Sequence, residues 1–119
     1  MLIDSSVWLE VFLDGKLSAT CRQAIKPESH VPTLAYFEVY KKLKLQFSES
    51  KALEAMGALS KYQQADLTHE MGLLAADLSI EHKLGMADSL VLAQAKHLNL
   101  SLITLDNDYA GIPGVKILR

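Results

Sequence analysis

Leu100 to Leu105 read Leu-Ser-Leu-Ile-Thr-Leu, and Asp106-Asn107-Asp108 follow at once. So apolar a run, opened by a helix-breaking Asn99 and closed by a carboxylate, fits a strand buried on both faces of a parallel sheet. Met1 to Ile3 make a second short apolar run, and it too closes on an acid, Asp4. Parallel strands need long crossovers, usually helices, and the sequence between these runs supplies them. Val7, Trp8, Val11 and Phe12 recur at helical spacing behind Asp4, so the N-terminus reads as strand, sharp turn and helix, ended by Asp14-Gly15. A second helix spans Leu17 to Lys26 and stops at Pro27. His30 and Val31 form a brief strand. From Thr33 the positions Leu34, Phe37, Val39, Tyr40, Leu43 and Phe47 fit a long helix, with Pro32 where a first-turn proline is tolerated.

Ser48 or Ser50 caps the next helix, Glu49 to Tyr62, with Leu53, Met56 and Leu59 at spacings of three. Ala65 to Leu67 read as a strand, and Thr68 caps a helix running to about Leu84, with Gly85 suited to end it in the left-handed conformation. The following helix starts near Asp88 and reaches Leu98, and Val115 to Leu118 make a last short strand. Strands alternating with helices, without repeats or linkers, predict an α/β fold over residues 1–119, one domain whose central, mostly parallel sheet is covered by helices.

The net charge of −2 argues against a protein that coats nucleic acid through bulk electrostatics. It leaves room for an enzyme acting on one, because acids that bind divalent cations are neutralised by them. No apolar run approaches the roughly 18 residues that cross a bilayer, and Met1-Leu2-Ile3-Asp4 lacks the basic, then apolar, start of a secretory signal, so a soluble cytoplasmic protein is expected. Cys21, the single cysteine, makes no internal disulfide and reads as a packed helix residue. His30, His69, His82 and His97 are scattered, none with a partner at metal-ligand spacing.

Ligands of open parallel sheets bind beyond the carboxyl ends of the strands, which is where Asp4 and Asp106 fall. Asp88 points from an otherwise apolar helix face, as a ligand or as an N-cap. Glu38 has Lys41 and Lys42 nearby, so a surface Glu-Lys pair is its ordinary alternative. Asp106 and Asp108 also suit a turn around Asn107. Gathered in one place, these acids would repel one another unless cations lay between them. Oxygen ligands without His or Cys select Mg²⁺ or Mn²⁺ over zinc, and such a site suits hydrolysis of a phosphodiester.

Leu2-Ile3-Asp4-Ser5-Ser6-Val7, Glu38 in the helix after Pro32-Thr33, Gly85-Met86-Ala87-Asp88-Ser89-Leu90-Val91-Leu92-Ala93-Gln94-Ala95, and Leu102-Ile103-Thr104-Leu105-Asp106-Asn107-Asp108-Tyr109 resemble PIN-domain proteins of the VapC toxin type, in order along the whole chain. The resemblance implies a three-layer α/β/α domain with Mg²⁺ or Mn²⁺ held by Asp4, Glu38 and Asp88. The fourth ligand comes from Asp106 or Asp108, of which Asp106 lies nearer the strand end. Ser6 and Thr104 match small polar positions that arrange the site. The implied activity is endoribonuclease, by a toxin that is commonly dimeric and held inactive by a protein antitoxin.

Arg22, Lys26, Lys41, Lys42 and Lys44 are candidate phosphate contacts or solvated helix faces, and Trp8, Phe12, Tyr36, Phe37 and Tyr40 are candidates for a groove or for core. A dehalogenase-like phosphatase would need an acid where Ser6 stands. A receiver domain, a non-enzymatic signalling module with an acidic pocket, would need a lysine near its last strands, where Lys116 is the only candidate. A PIN-fold nuclease for RNA processing, outside any toxin pair, is the remaining alternative.

Overall fold

A computed structural model describes residues 1–119. Its strands are short: β1 (Leu2–Ile3), β2 (His30–Pro32), β3 (Gln63–Ala65), β4 (Leu102–Thr104) and β5 (Val115–Ile117). They form one sheet in the order β3-β2-β1-β4-β5, and every pairing is parallel, so the mostly parallel sheet expected from sequence is wholly so. Side chains alternate across it. Leu2 and Leu102 pack with Met71, Leu78 and Leu92 of α5 (His69–His82) and α6 (Met86–His97). Ile3 and Ile103 point the other way, onto Val7, Cys21, Val39 and Leu59. These belong to α1 (Ser5–Phe12), α2 (Ser18–Ala24), α3 (Thr33–Gln46) and α4 (Glu49–Leu59). Three layers, α/β/α, result.

The chain winds outward from β1 to β2 and β3, then returns to lay β4 on the other side of β1. Strand order reverses at the β1–β4 seam, and the crevice beyond its carboxyl ends is where such sheets bind ligands.

Local details differ from the sequence expectations where packing overrode periodicity. In α4 the buried stripe is Ala52, Ala55 and Leu59, while Leu53 is 55% exposed. Small alanines let α3 and α4 approach closely, so the core face is not the one with the largest side chains. β3 begins two residues before Ala65 and leaves Leu67 outside it. Pro32 ends β2 and stands as the N-cap residue of α3.

Lys83, not Gly85, takes the left-handed conformation after α5, with φ of 57°. Gly85 has φ of −66° and is the N-cap of α6. The earlier reversal turns Leu84 into the core, and the link is held by Ser79 Oγ, which donates to the Leu84 carbonyl at 2.7 Å. In consequence α6 starts before Asp88, which lies in its first turn and is not its cap.

Candidate active site

Asp4 is delivered by β1. Its N–H donates to the Ile103 carbonyl at 2.9 Å, which extends the sheet by one bond before the chain turns into α1. The side chain is 5% exposed, and its Oδ2 accepts from both Ser6 Oγ and Thr104 Oγ1 at 2.8 Å. Each hydroxyl also accepts from the loop after β4: Ser6 Oγ from the Leu105 N–H and Thr104 Oγ1 from the Asp106 N–H, both at 3.0 Å. Two hydroxyls thus tie Asp4 to the backbone that carries Asp106. Burial pushes the Asp4 carboxyl above its ordinary range; the Thr104 and Ser6 hydroxyls pull it back, and the charge of Asp106 adds to the rise.

Glu38 comes from the middle of α3, half-buried, and its Oε1 accepts from Ser5 Oγ at 3.1 Å. Its carboxyl is raised by burial, lowered by that hydrogen bond and raised again by the charge of Asp4. The surface-pair alternative fails, because the ion pairs of the molecule are Lys44 with Glu49 and His82 with Glu81.

Asp88 is pushed up to about 6, by burial first and then by Asp106, Asp4 and Asp108. A helix N-terminus ordinarily favours the charged carboxylate; here desolvation and neighbouring negative charge outweigh it. Tyr109, fully buried, donates its hydroxyl to the main-chain carbonyl of Asp88 at 3.1 Å and so joins α6 to the turn after β4. That turn is a short 3-10 helix, Asn107–Tyr109, capped by Asp106, whose Oδ1 accepts from the Asp108 N–H at 2.9 Å. The turn-forming reading of Asp106 is thereby borne out, and its second carboxylate oxygen has no side-chain or main-chain donor. One carboxylate oxygen each from Asp88, Asp106 and Asp108 lie within 4.8 Å of one another. Asp106 acts on both Asp4 and Asp88, whereas Asp108, which is exposed, acts on Asp88 only.

Asp4 thus links the acids at the seam where the strand order reverses: its charge raises both Glu38 and Asp88, and it feels that of Asp106. Asp4 and Glu38 stand outside the close group of Asp88, Asp106 and Asp108. The donor set is all carboxylate oxygen, which fits a hard divalent cation. Ser5 and Tyr109 were not singled out from sequence. Ser5 sits beside a strand-end acid, but nothing local says that its hydroxyl meets a helix 33 residues on.

The basic candidates separate. Lys41 and Lys42 are exposed and line a hollow that includes Glu38. Arg22 lies elsewhere, donating to the Val11 carbonyl at 3.3 Å beside Phe12, Lys51 and Glu54. Lys26 donates to the Gln23 carbonyl, and Lys44 pairs with Glu49. Of the aromatics, Trp8 is core, its Nε1 donating to the Ile3 carbonyl at 3.0 Å and its ring stacked on Phe12. Tyr36, Phe37 and Tyr40 line an apolar hollow with Leu45 and Met56, between α3 and α4.

The PIN-domain family model matches residues 1–115, and the chain belongs to that family, one of nucleases. Among solved structures it is similar to a toxin–antitoxin complex from Klebsiella pneumoniae, at 27% identity over 97% of this chain and 94% of that one, with a TM-score of 0.85. VapC20 of Mycobacterium tuberculosis, described as a Sarcin-Ricin loop cleaving toxin, shares the fold at 12% identity over 94% of each chain and a TM-score of 0.78. So does DNA-bound VapBC from Salmonella typhimurium, at 13% identity over 98% of this chain and 95% of that one, TM-score 0.78. No curated protein matches the chain in sequence. No helix is long and apolar enough to cross a membrane.

Proposed function

We propose that the chain is an endoribonuclease dependent on Mg²⁺ or Mn²⁺ and that it is the toxin of a toxin–antitoxin pair. The observation that carries the reading is the gathering of Asp4, Glu38, Asp88, Asp106 and Asp108 at one seam, where burial raises the carboxyls of the first three and the charge of neighbouring acids raises them further. Like charges held this close in the absence of a lysine or arginine partner favour a divalent cation as the missing counter-charge. Asp4, Glu38, Asp88 and Asp106 are the acids that would hold it, with Asp108 as a further ligand.

When bound, the cation supplies Lewis acidity and charge neutralisation toward an RNA phosphodiester. The chain's own residues orient the acids. Ser6 and Thr104 occupy Oδ2 of Asp4 and leave Oδ1 without a side-chain donor, and Ser5 leaves Oε2 of Glu38 likewise. Tyr109 fixes the first turn of α6 against the loop that carries Asp106.

The Klebsiella pneumoniae complex, similar over nearly the whole of both chains, supports the toxin role and an antitoxin partner. The apolar hollow between α3 and α4 is a surface such a partner would cover. Exposed Leu73, Ile80 and Met86 on α5 and α6 favour a homodimer. A receiver-like signalling role is disfavoured by Lys116, which pairs with Ile103, one register short of the strand end, and is exposed.

Incubation of the purified chain with RNA and Mg²⁺ or Mn²⁺ tests the reading. Cleavage is expected for the parent and lost in Asp4→Asn and Asp88→Asn; metal-dependent cleavage that survives in both variants contradicts it. An RNA-processing role replaces the toxin role if expression leaves growth unimpaired and no protein partner neutralises the nuclease.

A further inference from the structure

Helix α3 carries two neighbouring columns of side chains past the acidic site. Glu38, Lys42 and Gln46 follow at four-residue spacing, and Phe37, Lys41 and Leu45 form the adjoining column. With Leu9 of α1 they line one hollow of about 510 Å³. One of its walls is a carboxylate of the candidate site; the others are the basic Lys41 and Lys42, the aromatic Phe37, the apolar Leu9 and Leu45, and the amide of Gln46. Phe37 is 62% exposed, with Lys41 Nζ 5.4 Å from its ring centroid. Neither Lys41 nor Lys42 is paired with an acid.

We infer that this hollow is a nucleotide subsite: the base of an unpaired nucleotide beside the cleaved phosphodiester stacks on Phe37, and Lys41 and Lys42 take the phosphates flanking it. The inference rests on the ribonuclease reading above. Stacking on an exposed ring accepts any base but requires one outside a duplex stack. Lysines act as point charges on phosphate oxygens, positioning the strand without reading its sequence. Charge, continuity and the exposed ring select the occupant. Two unpaired lysines match a polyanion, and the hollow is continuous with Glu38, one of the acids that would hold the divalent cation. An acidic peptide would satisfy the two lysines equally well but brings no succession of planar bases to the exposed Phe37 ring.

Binding is measured with Mg²⁺ present, in the cleavage-deficient Asp88→Asn background, using a short unstructured fluorescent RNA and a duplex of the same composition. Adding Phe37→Ala is expected to weaken single-strand binding by about ten-fold and to leave the duplex unaffected, with Phe37→Trp restoring it. Lys41→Gln with Lys42→Gln weakens both forms and flattens the dependence on salt. Equal affinity of Phe37→Ala and its parent for the single strand overturns the subsite. So does a result in which Phe37→Ala weakens only an acidic, apolar peptide. The absence of cleavage by the unsubstituted protein with any divalent cation would sink the ribonuclease reading itself. Cleavage with an unchanged KM in Phe37→Ala sinks the subsite alone.

Discussion

Thr104 Oγ1 donates to Oδ2 of Asp4 at 2.8 Å across 100 residues of sequence, and the same oxygen accepts from the Asp106 N–H at 3.0 Å. One hydroxyl therefore orients an acid of the cluster and fixes the start of the loop that holds another. Thr104→Val keeps the side-chain shape and removes that hydroxyl. Supporting groups of this kind are worth roughly 10- to 100-fold in metal affinity or activity, and a comparable fall in cleavage is expected. Stability should drop by about 1–3 kcal/mol, because Asp4 and the Asp106 N–H lose a partner. Thr104→Ser should restore most of both in cleavage assays and thermal melts, and full activity in the valine variant would count against the arrangement.

Asp88→Asn should have opposite effects on activity and on the metal-free fold. It removes one charge from a crowded set of acids, so with EDTA the variant should melt a few degrees above the parent. The parent should gain stability when Mg²⁺ or Mn²⁺ is added and the variant much less, because binding to the native state alone stabilises it. A variant less stable than the parent in EDTA would show that the Asp88 charge is compensated within the chain.

The pH dependence follows from the same residue. The Asp88 carboxyl rises from its ordinary 3.8 to about 6 on folding. Its contribution to metal-free stability is therefore fully present below 3.8 and is lost as the pH climbs through about 6. Asp4 and Glu38 are shifted in the same direction. Melting temperature in EDTA should thus fall between pH 5 and pH 7.5. Divalent-cation affinity and cleavage should rise over that interval as protons leave the ligands. A metal-free melting temperature that rises with pH across this window would refute the assignment.

Away from the site, Lys83 holds φ of 57° and ψ of 41°, a conformation costly for any residue with a Cβ. Lys83→Gly should raise stability by about 0.5–1 kcal/mol, offset in part by the greater freedom of glycine in the unfolded chain. Denaturant melts would register it, and cleavage should be unchanged.

Apolar runs ending in acids sufficed to give the alternation of strands and helices, because strand burial and helix capping are read over a few neighbouring residues. Asp4, Asp88, Asp106 and the Thr68 cap of α5 were legible for that reason. Glu38 was less so, since its spacing to Lys42 suits a surface pair equally well, and only the approach of Ser5 distinguishes the two. The buried stripe of α4, the left-handed Lys83 and the first-turn position of Asp88 also escaped the sequence.

Sequence by itself determined which face of most elements is apolar and which carboxylates stand where those elements end. Tertiary structure decided that β4 lies against β1, which sets Thr104 on Asp4, brings Asp106 to Asp88, and leaves Lys41 and Lys42 near the acids with Arg22 away from them. The physical reason is that periodicity specifies a surface to be buried but not what buries it. That choice belongs to the crossovers, whose path is fixed only when both faces of the sheet are covered.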